Sequence, residues 1–228
     1  MCTAMYYRGD DTVYGFNLDI DPQVWNFRVI ATKACFSVGI TVGSTTYLTH
    51  GVTADGRFAN LPYMNGAPFT PPRGARRRRI DLLVDRYLRG KYTFGDLDDF
   101  TEKGAVVSPP AASMHALFAD GEGRAMIVEP GYGRRKVTEN HAVLTNFPVL
   151  ANLTDFSNPF YGKDRYDVAA DALRSCADFS AADALRLLEQ VKVTGRWGTR
   201  VSFVYSQKER AVWYALDGDF SKIQKHGF

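Results

Sequence analysis

The chain has 228 residues, of which 45% are hydrophobic, so it can bury a core without disulfide or metal cross-links. Its 28 basic and 25 acidic side chains leave a net charge of only +3, which is too small to indicate a nucleic-acid-binding protein. It contains no run of about 18 apolar residues and no apolar segment near its start, so we expect neither a membrane-spanning helix nor a signal peptide. The cysteines form neither a disulfide framework nor a zinc-binding spacing, which predicts a reduced, cytoplasmic protein: Cys2, Cys35 and Cys176.

The first 60 residues predict β-strands joined by turns. Two aromatic-rich runs, 5–7 and 12–16, flank a Gly-Asp-Asp turn and indicate a hairpin. Further β-rich runs occur at 26–30, 34–42, 45–48 and 57–60. From residue 76 the hydrophobic period becomes that of a surface helix, with an apolar stripe ending before Gly90: Ile80, Leu83, Val84, Tyr87 and Leu88. A shorter helix is predicted over 96–103.

In the second half of the chain, predicted strands are again followed by predicted helices. Strands are predicted at 114–119, 125–129, 135–138 and 142–145, followed by helices at 165–176 and 181–191. Ser180 is the predicted N-cap of the last helix, with Asp183 three residues on. Two strands, 199–205 and 211–216, close the chain. No internal repeat or linker is visible, so we predict one α+β domain over 1–228 with helices packed on sheet faces.

Cys2 is the first candidate for chemistry. Methionine aminopeptidase removes Met1 when the next residue is small, which would leave a thiol and a free α-amine on one residue. Their ordinary pKa values, about 8.5 and about 7.7–8.0, suit a nucleophile and a general base near neutral pH. The alternative is that Cys2 is merely an exposed thiol, because a catalytic amine needs a fixed geometry.

Several short segments, taken in order, resemble the choloylglycine hydrolase (linear amide C–N hydrolase) family. They are the Met-Cys-Thr start, Asn17-Leu18-Asp19, the runs at 115–120 and 126–130, Val143-Leu144-Thr145-Asn146-Phe147-Pro148, Arg165 and the strand at 199–205. The family includes bile salt hydrolases and penicillin V acylases. The resemblance implies a four-layer αββα N-terminal-nucleophile (Ntn) hydrolase sandwich that needs no metal or organic cofactor.

The resemblance also implies four catalytic roles. Cys2 would supply the nucleophilic sulfur and the α-amino base, and Asp19 would hold that terminus and tune the pKa of its amine. Asn146 would donate its side-chain amide to the oxyanion, and Arg165 would favour the thiolate. Each residue also has a structural alternative: a turn carboxylate for Asp19, a strand-end turn residue for Asn146 and a solvated helix charge for Arg165.

Three departures from the family pattern affect the expected site. Phe16 stands where the family usually has arginine, which removes a guanidinium but offers an apolar wall to an acyl chain. A second polar residue of the family's site does not align cleanly, and Asn65 and Asn60 are the candidates for substrate binding. Only residues 149–163 separate Pro148 from the following helix, so we predict that any homo-oligomer does not form through the family's long assembly loop.

The arginines at 73 and 76–79 and the four histidines are the remaining polar features. The arginines could attract an anion or form the solvated first turn of a helix, where cations oppose the helix dipole. No nucleic-acid-binding motif accompanies them, so we expect no nucleic-acid partner. The histidines lack the spacing of metal ligands, and His115 and His141 are predicted to be packed or hydrogen-bonded. Cys35 and Cys176 are predicted to be small core residues.

The sequence therefore predicts an amidohydrolase that acts on a small-molecule N-acyl amide through Cys2 and a thioester acyl-enzyme. Two alternatives stay open at this point. The same acyl-enzyme could be resolved by an amine, which would make the protein an N-acyltransferase. Alternatively, the chain could be a non-catalytic Ntn-like binding protein, which the loss of the arginine at Phe16 favours.

Overall fold

A computed structural model describes residues 2–66, 69, 77–110, 112–151 and 161–228. In chain order the strands are β1 (Cys2–Arg8), β2 (Thr12–Asp19), β3 (Asn26–Ala31), β4 (Cys35–Val42), β5 (Thr45–Thr53), β6 (Phe58–Asn60), β7 (Arg77–Arg79), β8 (Ala105–Val107), β9 (Ala116–Ala119), β10 (Ala125–Glu129), β11 (Gly133–Lys136), β12 (His141–Leu144), β13 (Thr199–Ser206), β14 (Ala211–Leu216) and β15 (Gln224–Gly227). The helices are α1 (Ile80–Leu88), α2 (Phe94–Lys103), α3 (Lys163–Ser175) and α4 (Ala181–Gln190).

Two antiparallel sheets form the centre of the fold. The first sheet has the strand order β12-β1-β2-β13-β14-β15, so the strand that begins with Cys2 lies inside it rather than at its edge. The second sheet has the order β11-β10-β9-β6-β5-β4-β3. Strand β5 carries a bulge: Val38 pairs with His50 whereas Gly39 pairs with Leu48, so Thr49 is an extra residue.

The alternation of side chains along the strands builds three layers of core. Between the sheets, Phe16 of β2 and Phe36 of β4 belong to one buried cluster, and both rings pack against Phe203 of β13. The outer face of the second sheet packs against the apolar stripe of α1 and against α2. The outer face of the first sheet packs against α3 and α4. The layers are therefore helix, sheet, sheet, helix, which confirms the predicted αββα sandwich.

The strands and helices predicted from sequence are confirmed, with shifted ends. Strand β5 is longer than its prediction because the residues after the bulge continue the pairing with β4. Helix α2 begins at Phe94, where Thr93 and Asp96 form a capping box. Strands β7, β8 and β15 were not predicted. None of the helices in the described ranges is long and apolar enough to cross a membrane.

The arginine run does not form the first turn of a helix, so that interpretation was wrong. Arg77–Arg79 is a short strand, parallel to β8, and the helix begins only at Ile80. The first turn of α1 instead carries Asp81, whose negative charge suits the positive end of the helix dipole. Arg73 and Arg76 lie outside the described residues.

Candidate active site

Cys2 lies at the start of β1, where the first sheet borders a cavity of about 570 Å³. Its side chain faces the second sheet and is only 5% exposed. Asp19 ends β2, and Asn146 comes two residues after the end of β12. Because both neighbouring strands run antiparallel to β1, their ends lie beside its start. The register of the sheet thus brings these three residues, distant in sequence, to one wall of the cavity.

Asn146 is held by hydrogen bonds on both sides of its amide. Its Oδ1 accepts a hydrogen bond from the Cys2 nitrogen at 2.9 Å and another from Arg165 Nη2 at 2.8 Å. Its Nδ2 donates to the carbonyl oxygen of Tyr63 at 2.6 Å. An amide nitrogen carries two hydrogens, and the contact with Tyr63 uses one of them. The other is the donor that the resemblance assigns to the oxyanion. The backbone carbonyl of Asn146 accepts a hydrogen bond from the backbone N–H of Asn65 at 2.7 Å.

Arg165 joins the members of the cluster. It lies in the first turn of α3 and is 7% exposed, so it is not the solvated helix charge that was the alternative. Its Nη1 donates to the carbonyl oxygen of Cys2 at 2.8 Å, to Thr3 Oγ1 at 2.9 Å and to Asp19 Oδ2 at 3.3 Å. With the bond from Nη2 to Asn146, one guanidinium connects four residues. A planar group with fixed donors is suited to this bridging.

Asp19 is buried and has two hydrogen-bond donors on opposite oxygens. Thr199 Oγ1 donates to Oδ1 at 2.5 Å, and Arg165 donates to Oδ2. Burial raises the pKa of Asp19 to about 6, because the charged carboxylate loses its hydration; the Thr199 hydrogen bond and the Arg165 charge oppose this rise. Asp19 therefore changes its charge close to physiological pH rather than near pH 4.

Burial also raises the pKa of the Cys2 thiol, and the Arg165 guanidinium offsets only part of this effect. The Arg165 charge acts in the direction that favours the thiolate, but desolvation of the sulfur outweighs it. A protonated thiol needs a base to remove its proton before it can attack. The nitrogen of the same residue is the nearest candidate, since it belongs to Cys2 itself and lies against Asn146.

A buried pair holds the segment that carries Asn146. His115 Nδ1 lies 2.9 Å from Glu129 Oε1, and its Nε2 lies 3.0 Å from the carbonyl oxygen of Thr145. The carboxylate of Glu129 also accepts hydrogen bonds from the backbone N–H groups of Val149 and Leu150. His115 and Glu129 are fully buried. The pair thus fixes the backbone at Thr145, directly before Asn146, and at Val149 and Leu150, three and four residues after it. The prediction of a hydrogen-bonded His115 is confirmed.

The cavity has a buried apolar floor and an exposed aromatic rim. Leu18, Ile20 and Leu61 line its floor and are at most 5% exposed. The rim consists of side chains that are 40–61% exposed: Tyr63, Tyr161 and Trp197. A volume of this size falls within the usual range of small-molecule sites, about 300–1,000 Å³.

Phe16 does not line the cavity. It is fully buried between the sheets and stacks on the ring of His50, with 4.2 Å between ring centroids. His50 is the residue that lines the cavity, so Phe16 acts on it only through His50. The sequence did not single out His50, because its neighbours carry no motif and the bulge in β5 is visible only in the strand pairing.

Of the two asparagine candidates, the structure brings only Asn65 to the cavity. Asn65 is half-buried and lines the wall beside Asn146. Asn60 is buried in β6, where its Oδ1 accepts a hydrogen bond from the backbone N–H of Leu117. Sequence reasoning also missed Thr199 and Tyr63, whose roles depend on pairing between distant segments.

The other polar features lie away from this cavity. Arg77, Arg78, Arg79 and Arg86 line a separate groove of about 450 Å³, and a role for it in anion binding stays a prediction. Cys35 and Cys176 are half-buried and free rather than fully buried core residues: Cys35 begins β4, and Cys176 follows α3 and packs against the edge of the core beneath that helix. Within the described ranges, no group of three His, Cys, Asp or Glu side chains could hold a metal ion.

The αββα sandwich is the fold that the resemblance to Ntn hydrolases implies. Comparison with solved structures agrees. The chain is similar to a mutant of conjugated bile acid hydrolase from Clostridium perfringens, with a TM-score of 0.68 and 13% identity, over 100% of this chain and 92% of that one.

It is also similar to penicillin V acylase from Agrobacterium tumefaciens, with a TM-score of 0.62 and 16% identity over 95% of this chain and 83% of that one. The Caenorhabditis elegans ortholog of N-acylethanolamine-hydrolyzing acid amidase matches with a TM-score of 0.58 and 16% identity, over 90% and 93% of the two chains. These proteins are Ntn linear amide hydrolases, so the resemblance predicted from sequence is confirmed for the fold. No protein-family model matches the sequence, and a comparison with curated proteins finds no match.

Proposed function

We propose that the protein is an amidohydrolase that cleaves a linear N-acyl amide, with Cys2 as its N-terminal nucleophile. The observation that supports this proposal is the position of Cys2 at the wall of the cavity. Its nitrogen donates a hydrogen bond to Asn146 Oδ1, and the residue also lines a cavity large enough for a small molecule. The solved structures to which the chain is similar are of hydrolases of linear amides, which agrees with this chemistry.

The active form begins with Cys2, after removal of Met1. The Cys2 nitrogen is then a primary amine that can donate to Asn146 Oδ1 and keep its lone pair for the thiol proton. Such an amine is needed because burial raises the pKa of the thiol. The buried carboxylate of Asp19, when ionised, contributes negative charge beside this terminus, and Arg165 keeps the two groups at fixed positions.

In the first half of the reaction the Cys2 amine takes the thiol proton, and the sulfur attacks the carbonyl carbon of the substrate. The carbonyl electron pair moves to oxygen, and the second Nδ2–H of Asn146 donates to this oxyanion. When the tetrahedral intermediate collapses, the C–N bond breaks. The ammonium of Cys2 returns its proton to the departing nitrogen, which leaves as the free amine, and the acyl group stays on sulfur as a thioester.

In the second half, water replaces the amine. The Cys2 amine takes a proton from water as its oxygen attacks the thioester, the C–S bond breaks, and the carboxylic acid leaves while the proton returns to sulfur. Every proton transfer in this sequence uses Cys2 itself. We propose no metal or organic cofactor for it.

The floor of the cavity sets the substrate preference that we propose. It is formed mainly by Leu18, Ile20 and Leu61, which favour an apolar acyl group. Each Å² of apolar substrate surface removed from water stabilises the complex by about 25 cal/mol. The aromatic rim, with Trp197, would contact the part of the substrate nearest to solvent. We therefore expect hydrolysis of N-acyl amides to increase with the apolar area of the acyl group.

Intact-mass measurement with a panel of N-acyl amides tests this function. We expect purified protein that begins at Cys2 to release free amine and to carry, after rapid quenching, one acyl group that hydroxylamine removes as a thioester. Analysis of the products with and without an added amine separates hydrolysis from acyl transfer. Protein that begins at Cys2 but turns over no member of the panel would overturn the proposal.

Thr199 offers a test of the role of Asp19 through the pH profile. If ionised Asp19 supports the terminus, kcat/KM rises as pH increases through about 6, the pKa of this carboxyl. Thr199→Val removes a hydrogen bond that favours the carboxylate, so the pKa of Asp19 increases and this limb shifts to higher pH, by roughly half a unit to one unit. Thr199→Ser keeps the hydroxyl and is the matched control. An unshifted limb in Thr199→Val would exclude Asp19 as the group that titrates.

A further inference from the structure

His50 is a polar residue in the otherwise apolar floor of the cavity. It lies on β5 directly after the bulged Thr49, and it is 2% exposed. Its neighbours on the floor are Leu18 and Leu61, which offer no side-chain hydrogen bond. A histidine at this depth has lost most of its contact with water, so its two ring nitrogens need partners in the protein or in a ligand.

The contacts of the ring leave one nitrogen available. Nδ1 accepts a hydrogen bond from the backbone N–H of Leu61 at 3.1 Å. Burial lowers the pKa of His50 to about 3, so the ring is neutral at physiological pH and carries a single hydrogen. Because Nδ1 is the acceptor, that hydrogen is on Nε2. In the part of the chain that the structure describes, Nε2 has no hydrogen-bond partner.

Stacking on Phe16 fixes the plane of this ring. The centroids are 4.2 Å apart and the planes differ by 21°. Phe16 therefore holds one face of His50, and Leu61 holds its Nδ1 edge, which leaves the Nε2–H as the polar group that the ring can offer to the cavity. The phenylalanine that replaces the family's arginine thus has a definite role: it packs against a neutral donor in place of a cation.

We propose that His50 determines acyl-group specificity: its Nε2–H donates a hydrogen bond to an ether, keto or hydroxyl oxygen carried within an otherwise apolar acyl chain. This inference rests on the proposed amidohydrolase function and adds the substrate class. Since the floor near His50 is apolar, a buried donor there stays unpaired when a plain hydrocarbon chain fills the cavity. Leaving it unpaired weakens binding of that chain relative to one with an acceptor.

Binding to the Cys2→Ala variant tests the inference without turnover. The probes are N-acyl amides with the same amine and the same chain length, in which one oxygen replaces a CH₂ group at successive positions of the acyl chain. Each is compared by calorimetry with its all-carbon counterpart. We expect one position to bind about tenfold more tightly than its counterpart, the effect of one buried hydrogen bond. Equal affinities at every position would overturn the inference.

Two substitutions of His50 separate hydrogen bonding from packing. His50→Asn keeps an acceptor for the N–H of Leu61 but has no donor at the Nε2 position, so the tenfold preference is expected to disappear. His50→Gln reaches that position with its amide N–H and is expected to restore part of the preference. Because both are measured as ratios between paired ligands, a general loss of affinity does not affect the outcome. Failure of the proposed function would show separately, as no turnover by the unsubstituted protein.

Discussion

Replacing Cys2 by alanine is expected to abolish turnover of N-acyl amides, with a loss in kcat of roughly 10⁴-fold or more, as for other nucleophiles that work as a unit with their base. The stability of the fold should change by only about 1 kcal/mol or less, because the substitution removes one buried sulfur atom and keeps the backbone contacts with Asn146 and Arg165. Steady-state kinetics and urea unfolding on the same preparation separate the two effects.

Labelling with a thiol-reactive probe provides the control for this variant. Cys35 and Cys176 are half-buried and can also react, so the measurement uses a background in which both are alanine. We expect one label per chain with Cys2 present, none with Cys2→Ala, and full activity in the background itself. Activity that survives in Cys2→Ala, or in a chain that still begins with Met1, would refute the nucleophile and base assigned to Cys2.

Much of the fold could be predicted because its signals are local. The hairpin of β1 and β2 follows from a short polar turn between aromatic runs, and α1 follows from an apolar stripe at helical spacing. The arginine run before α1 was misread as helical because its strand forms by pairing with β8, about 28 residues further along the chain. Pairing at that distance leaves no local pattern.

The candidate site was predictable only in part for a related reason. Cys2, Asp19, Asn146 and Arg165 come from segments that resemble a family, and the structure brings all four together. Thr199 and Glu129 lie in segments that also carry the resemblance, but it assigned them no role. Their roles depend on the register of β13 beside β2 and on the packing of a buried carboxylate against the turn after β12. The sequence also gave no sign that Phe16 would act through His50.

Arg165→Met is expected to damage both stability and activity. It leaves the buried carboxylate of Asp19 without its cation and removes donors from Asn146 and from the Cys2 carbonyl. Breaking such a buried pair costs about 3–5 kcal/mol, which urea unfolding would measure. Because Asp19 then becomes protonated more readily and Asn146 loses a constraint, we also expect kcat/KM to fall at least 100-fold. Activity is measured without urea, at a temperature where the variant is fully folded. The loss of activity is then separated from the loss of stability.

Arg174→Met is the matched control, because Arg174 lies on the same helix but is exposed and forms a surface ion pair with Asp171 in the preceding turn. It is expected to cost about 0.5 kcal/mol or less and to leave kcat/KM unchanged. Arg165→Lys keeps the positive charge near Asp19 but cannot bridge the whole cluster with a single ammonium group. We therefore expect it to recover part of the stability and little of the activity. In the proposed mechanism, Arg165 is the residue that holds the Cys2 terminus and the oxyanion donor Asn146 at fixed relative positions. If Arg165→Met proved as stable and as active as Arg174→Met, this role would be refuted and Arg165 would be only a helix residue.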